Sequence, residues 1–356
     1  MDLVPTTKTP TVITADPERR RIRVDEPVRV KKQPSSHSLN PPDHITNNEE
    51  LNRMIAAWLP PNYNFEVHKT IWMIERNGYK RVALQLPEGL QRWALQLCDL
   101  LSKYADCQCA VLAEQTYGAC CIDDMQAERL GCDFIVHYGH SCLIPISDML
   151  VKAMYVFVEI SFDHGHLVEC VVKNFERERK IALVGTIQFN TALHKAHRSL
   201  LDAGFSDVLV PQSKPLSSGE ILGCTAPRLP QNTDLILYIG DGRFHLEAIM
   251  LANPLVPAYR YDPYNARITT EGYDHVAMRK ARAEAISKAK SAKIFGIAVS
   301  TLGRQANPMI INDLRAKLES ANRQVRIVTM PEIKPELLKC IQGVDAWVQV
   351  ACPRLS

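Results

Sequence analysis

The segment YGACCIDD, residues 117 to 124, sets two adjacent thiols, Cys120 and Cys121, behind a small Gly118-Ala119 step and ahead of two carboxylates. Thiolates are nucleophiles and soft-metal ligands, so such a pair in a loop invites metal or redox chemistry. Three more cysteines sit in loop-like sequence: Cys142 in GHSC, Cys224 in SSGEILGCTAPR and Cys352 in ACPR. The other six, Cys98, Cys107, Cys109, Cys132, Cys170 and Cys340, fall in expected helices, strands or their edges and read as small buried hydrophobes. Near the loop cysteines there is no C-x-x-C and no His-x-x-x-His pair, which counts against a zinc site built from one hairpin.

Short β-rich apolar runs alternate with helical periods, the pattern of parallel α/β sheets. A first unit offers strands RVALQL (81 to 86), CAVLAE (109 to 114), FIVHYG (134 to 139) and YVFVEI (155 to 160). A second offers KIALVG (180 to 185), DVLVPQ (207 to 212), LILYIG (235 to 240) and PAYRYD (257 to 262). A third begins IFGIAV (294 to 299), VRIVTM (325 to 330) and WVQVAC (347 to 352). The stretch HVAMRKARAEAISKAKSAK joins the last two units as a helix whose apolar positions are expected to pack on a neighbouring sheet. The fold class is therefore α/β: three related Rossmann-like parallel-sheet domains around a pseudo-threefold axis, spanning 46–165, 166–286 and 287–356, the third incomplete. Ligands gather beyond the carboxyl ends of strands in such sheets, so three sets of loops face one centre.

On that scaffold Cys120 and Cys224 follow the second strands of their units and Cys352 ends a third strand. Ligands drawn singly from distant loops suit a cluster at a domain junction. Three thiolates on a four-iron cluster leave one iron open to substrate. The spacing alone leaves two alternatives open: strict repetition equates Cys142 with Cys352, and all five thiols are equally readable as core.

Bulk composition narrows the compartment. With 46% hydrophobic and 23% charged residues the chain is globular, and no apolar run is long enough to cross a membrane. The N-terminus lacks a signal-peptide core, so the 11 cysteines are expected in the reducing cytosol or nucleus, where they are poor candidates for a disulfide framework. A net charge of +3 requires no nucleic acid. Residues 1–45 read as a disordered tail whose basic run, RRRIRVDEPVRVKK, is either solvated or a nuclear signal. Order is expected from a Thr46–Glu49 capping box, with a helix through Met54, Ile55 and Trp58 ending at Pro60-Pro61.

YGACCIDD, LGCDFIVHYGHSCLIP, PLSSGEILGCTAPRL, YIGDGRFHLEAIMLANP, YRYDPY, TLGRQ and VQVACPRLS, in that order, closely resemble the eukaryotic 2-(3-amino-3-carboxypropyl)histidine synthases of subunit 1 type, from the first step of diphthamide biosynthesis. The resemblance runs from about Asn62 to the end. It implies a radical S-adenosylmethionine enzyme in which one cysteine from each of three domains holds a 4Fe-4S cluster, the positions matching Cys120, Cys224 and Cys352. Cys120 is preferred to Cys121 because related members often keep only the first thiol. It further implies transfer of the 3-amino-3-carboxypropyl group to C2 of a histidine on elongation factor 2. A heterodimer with subunit 2 and a small metal-binding electron-donor protein are implied too. The substrate protein supplies that histidine, so no catalytic side chain beyond the cluster ligands is required.

Strand-end loops are the expected holders of S-adenosylmethionine: Gly89 in LPEGLQ, Gln188 in GTIQFN, Gly242 and Arg243 in GDGRFH, Gly303 and Arg304 in STLGRQ. Glycines admit close backbone approach, and the polar groups suit a carboxylate or ribose. Asp123 and Asp124 are expected to cap the helix after YGACC. His137 and His140 lack a matching ligand pair, and His245 reads as a hydrogen-bonded loop residue. Relatives continue past CPRLS, so the chain ending at Ser356 is expected to be a shortened product with a weakened third ligand. A quinolinate-synthase-like cluster enzyme and a non-catalytic subunit are the rival classes. YGACCIDD and GDGRFHLE disfavour the first, and Cys224 disfavours the second.

Overall fold

The computed structural model describes residues 40–114, 116–352 and 354. The basic run from 19 to 32 lies outside them, but the boundary drawn at residue 45 is corrected: α1 (Asp43–Thr46) begins before it. The expected capping box is not formed either. Thr46 closes α1, its hydroxyl turned to the Pro42 carbonyl, and Asn48 caps α2 (Glu49–Trp58) by accepting from Leu51 N at 3.0 Å. Asn is as good a cap as Thr and stands next to the helix, so it takes the position.

The strands follow in order. They are β1 (Tyr63–Asn64), β2 (Arg81–Gln85), β3 (Gln108–Leu112), β4 (Phe134–Tyr138), β5 (Lys152–Val156), β6 (Glu159–Ile160) and β7 (Ile181–Gly185). Then come β8 (Val208–Leu209), β9 (Leu235–Ile239), β10 (Ala258–Asp262), β11 (Arg267–Glu271), β12 (Ile294–Ser300), β13 (Gln324–Met330) and β14 (Ala346–Val350). Three sheets carry all of them but β1 and β6, ordered β3-β2-β4-β5, β8-β7-β9-β10-β11 and β13-β12-β14. Within these three sheets every pair is parallel except the β10-β11 edge. In each sheet the first strand is central, with the second on one side and the third on the other, so one topology occurs three times.

The YVFVEI run does not stay one strand. It breaks at Val158, a β-branched residue at φ +55°, after which β6 pairs antiparallel with β1. A second repetition lies at the amino ends of the strands. Asp133 accepts from Lys80 N and Arg81 N at 2.8 and 3.1 Å, Asp234 from Lys180 N at 2.7 Å, and Asp345 from Lys293 N and Ile294 N at 2.8 and 2.9 Å. The partners are 53, 54 and 52 residues apart. Each aspartate opens a third strand and satisfies amides at the mouth of the first, which pins the register of the central pair.

Helices cover the sheets: α3 (Val67–Asn77), α4 (Ala94–Ala105), α5 (Asp124–Arg129), α6 (His164–Asn174), α7 (Asn190–Asp202), α8 (Phe244–Ala252), α9 (His275–Ala289), α10 (Pro308–Ser320) and α11 (Pro335–Cys340). Both faces of the first two sheets are buried. Val82, Leu84 and Val136 meet Ile74 and Leu97 on one side, while Ala83 and Ile135 meet Ile122 and Ala127 on the other. Burial on both sides explains the near-continuous apolar strands. The third sheet has a small core of Ile297, Val299 and Val350. The expectation for α9 is corrected: none of its residues is buried, with Val276 77% and Ile286 62% exposed. Ala277, Ala281, Ala285 and Ala289 do line one face at four-residue spacing, but Ala277, Ala281 and Ala285 are exposed, so no sheet covers that face. Among the described residues no helix is long and apolar enough to cross a membrane.

If the aspartate ties set register, Asp133→Ala costs about 1 kcal/mol through two lost hydrogen bonds. Urea unfolding is expected to show a lower midpoint for Asp133→Ala, with Asp133→Asn recovering part of the loss.

Candidate metal centre

Beyond β3 the chain folds into a single helical turn, Ala119–Cys121, closed by Cys121 N donating to the Gly118 carbonyl at 2.9 Å. Gln85, at the carboxyl end of β2, fixes this turn. Its Nε2 donates to the Cys121 carbonyl at 2.8 Å and its Oε1 accepts from Asp123 N at 3.1 Å. Cys121 is buried, whereas Cys120 is only partly covered. Asp123 caps α5 as expected, accepting from Gln126 N at 2.9 Å. Asp124 does other work: fully buried, it accepts from Leu150 N at 2.7 Å and from Arg304 Nε at 2.8 Å.

The loop after β12 lies directly on this turn. Gly303, at φ +48°, comes so near that an added Cβ would stand 2.4 Å from the Cys121 carbonyl carbon. Next to it, Arg304 N donates to the Cys120 carbonyl at 2.8 Å. Gln305 then bridges two loops: Nε2 donates to Cys121 Sγ at 3.2 Å and lies 3.8 Å from Cys120 Sγ, while Oε1 accepts from Cys352 N at 3.1 Å. Gln349 donates to the Cys352 carbonyl at 3.0 Å.

Cys224 is exposed in a tight turn where Leu222 and Thr225 exchange backbone hydrogen bonds of 2.9 and 3.3 Å. Gly223 lies against the Phe244 ring, which leaves no room for a side chain. Arg354, two residues beyond Cys352, fastens this turn to the third-sheet segment. Its Nη1 donates to the Gly223 carbonyl at 3.2 Å, its Nη2 to Glu247 at 2.6 Å, and its guanidinium covers Phe244 at 5.2 Å. Neither Gln305 nor Arg354 is singled out by the sequence, although TLGRQ and ACPR contain them.

The cysteines therefore feel one another. Cys120 is pushed up, first by the neighbouring Cys121 and by burial, then by the charges of Cys352 and Cys224. Cys121 is pulled down to about 6, chiefly by the hydrogen bond from Cys120 and with help from backbone amides and Gln305. Crowded thiolates repel unless a cationic core lies between them. Among the described residues no group of His, Cys, Asp or Glu is arranged to hold a single metal ion. Loops of three sheets that carry Cys120, Cys224 and Cys352 and are tied to one another suit a polynuclear cluster better than a lone cation. Cys142 is elsewhere, exposed and raised by burial and by Glu220.

A cavity of about 420 Å³ opens between loops of the first two sheets. Gly89 and Gln188 line it, as do Asp241, beside Gly242, and His140 and His245. His245 begins α8 rather than lying in a loop. A chain of side chains leads from the cysteine turn to the cavity: Gln85 Oε1 to His137 Nδ1 at 2.9 Å, then His137 Nε2 to His140 Nδ1 at 3.0 Å. Burial pushes His140 and His245 down to about 4. The two predicted arginines have protein partners. Arg243 pairs with Glu271 at 2.9 Å and the Gly272 carbonyl at 2.7 Å, and Arg304 with Asp124. Gly303 packs on the cysteine turn and is not part of the cavity wall.

Two outcomes follow from this geometry. Gly303→Ala must push the β12 loop off the Cys120 turn, and anaerobic reconstitution is expected to give less than half the iron bound by wild type, with melting temperature reporting the packing loss. The histidines bind protons in the unfolded chain before they do in the folded one. Their contribution to stability is thus complete above pH 6.5 and is lost as pH falls toward 4, at ~1.4 kcal/mol per unit for each. Urea midpoints for His140→Gln are expected to fall less steeply than wild type across that window.

A family model described as "Putative diphthamide synthesis protein" matches residues 86–356. Among curated relatives, 2-(3-amino-3-carboxypropyl)histidine synthase subunit 1 of Yarrowia lipolytica is 50% identical over 318 residues, 88% of this chain and 72% of that protein. The Gallus gallus protein of the same name is 50% identical over 316 residues, 88% of this chain and 76% of its own. A crystal structure of Dph2 from Pyrococcus horikoshii with a 4Fe-4S cluster superposes with a TM-score of 0.69 at 28% identity, covering 82% of this chain and 85% of that one. With parallel α/β sheets, a thiol centre and this likeness together, the chain belongs to the diphthamide synthesis family, among the enzymes of the 2-(3-amino-3-carboxypropyl)histidine synthase subunit 1 type.

Proposed function

We propose that the protein transfers the 3-amino-3-carboxypropyl group of S-adenosylmethionine to C2 of a histidine imidazole on elongation factor 2, in the cytosol or nucleus. Subunit 2 is its heterodimer partner and a small metal-binding protein its electron donor. The observation that supports this reading is the pair of ties between loops of three separate sheets: Gln305 links Cys121 Sγ to Cys352 N, and Arg354 links the same third-sheet segment to the Gly223 carbonyl beside Cys224. Under it the units 46–165, 166–286 and 287–356 stand around a pseudo-threefold axis at the cysteines, which hold a 4Fe-4S cluster with one iron open. When bound, that cluster supplies the electron for reductive cleavage of a carbon–sulfur bond of the sulfonium.

The chain's own groups position and select. Gly89 and Gln188, with Gly242 shaping the Asp241 loop, bound a cavity whose volume is in the range of small-molecule sites. His140 and His245 are kept neutral by burial, so the wall carries no imidazolium to repel a sulfonium, and Asp241 offers a carboxylate. Arg243 and Arg304 act through Glu271 and Asp124, holding loops rather than touching substrate. Cys120, Cys224 and Cys352 would hold the cluster, and selecting one of three carbon–sulfur bonds would be a matter of how the cavity walls, Gly89 and Gln188 among them, orient the sulfonium.

The test supplies reduced complex and elongation factor 2 with S-adenosylmethionine labelled either in the carboxypropyl chain or in the methyl group. Carboxypropyl label is expected on one histidine, and Cys224→Ala should lower it by at least about a hundredfold. Transfer of methyl label, or undiminished transfer by Cys224→Ala, contradicts the proposal.

A further inference from the structure

The first sheet holds a second gathering of thiols, at the amino end of its strands and so opposite the Cys120 turn. Asp106, at φ +47°, bends the chain just before β3. Cys107 and Cys109, two residues apart, then project to the same side, the side that α4 covers. Their sulfurs are 3.8 Å apart. Cys98, on α4, packs against the same core, and its thiol is pushed up chiefly by Cys109. Cys107 also points its thiol at the Leu101 carbonyl, 3.5 Å away.

Burial in the core accounts for apolar contacts of these residues but not for the close approach of the Cys107 and Cys109 sulfurs. Nor are they arranged as ligands of a single metal ion. The hydrogen bonds from Cys107 and Cys98 favour the Cys109 thiolate, which is drawn down to about 3, while its two neighbours are pushed up. A thiolate within reach of a thiol is the arrangement from which disulfides form. Access is provided by a cleft of about 390 Å³ lined by Lys80, Arg81, Asp106, Cys107 and Gln108. Lys80 is held at its rim by Asp106 at 2.7 Å, beside the Cys107 thiol.

We propose that Cys107 and Cys109 are a dithiol–disulfide couple, an oxidation site separate from the metal centre. Hydrogen peroxide entering the cleft takes two electrons from the Cys109 thiolate and the Cys107 thiol, with the Cys107 thiol hydrogen and one proton from water. Its O–O bond breaks to give two waters as the S–S bond forms, and a small thiol reverses the change. Cys98 donates to Cys109 in the reduced state and takes no part in the bond.

Full-length protein purified anaerobically is exposed to one equivalent of hydrogen peroxide, alkylated, and cleaved without reduction after acidic residues. Cleavage at Glu114 separates Cys107 and Cys109 from Cys120 and Cys121. The expected product is a peptide holding Cys107 and Cys109 that has lost two hydrogens and takes no alkyl group. It should form about tenfold faster than the exposed Cys340 is modified, and reductant should restore both thiols. In Cys98→Ser the pair still closes, and in Cys107→Ser Cys109 stays open to alkylation. The proposal is overturned if the wild-type peptide is alkylated at both positions as fast as Cys340, or if Cys109 is found joined to Cys98; neither reading depends on how the variants fold.

Discussion

Loops leaving three different sheets, those that carry Cys120, Cys224 and Cys352, are fastened to one another by a few side-chain ties, and much of the surrounding structure is explained by that constraint. Cys120 is raised chiefly by Cys121 and by burial, and further by Cys352 and Cys224. Neutral donors and one cation do the holding. Gln305 spans the first and third sheets, and Arg354 ties the third-sheet segment to the Cys224 turn through a carbonyl, a carboxylate and an aromatic face. Close approach then requires glycine at two points, Gly303 on the Cys120 turn and Gly223 under Phe244.

Rigid positioning needs a rigid base. Each sheet places its first strand in the centre and ties the mouth of that strand to an aspartate opening the third. Ladders of parallel strands buried on both faces then fix where each strand ends, and loops leave from those ends. Asp124 carries this rigidity outward: buried and paired with Arg304, it joins α5 to the β12 loop across the same boundary that Gln305 spans. Removing one partner of such a buried pair leaves an uncompensated charge, which makes the pair a structural lock.

Much of this was legible from residues alone. Period and β-propensity located the main strands because both-face burial makes them near-continuous apolar runs, and loop position separated Cys120, Cys121, Cys142, Cys224 and Cys352 from the helical and strand cysteines, while the choice among those five came from the family resemblance. What stayed hidden depends on contacts between distant residues. Gln305 and Arg354 look like ordinary polar loop residues until their partners, far along the chain, are in place. Arg243 and Arg304 looked like ligands for an anion because their carboxylate partners, Glu271 and Asp124, are remote in sequence. The aspartate ties were missed for the same reason, and α9 misled because alanine and lysine promise a helix without saying which face, if any, is covered.

The central claim is that Cys120, Cys224 and Cys352 jointly hold one polynuclear iron centre. Iron and sulfide counting after anaerobic reconstitution, paired with electron paramagnetic resonance of the reduced protein, addresses it most directly across single alanine variants of Cys120, Cys121, Cys142, Cys224 and Cys352. The account predicts about four iron and four sulfide per chain in wild type, Cys121→Ala and Cys142→Ala, with loss of both counts and signal in the other three. Retention of a full cluster by Cys120→Ala together with its loss in Cys121→Ala or Cys142→Ala would contradict it.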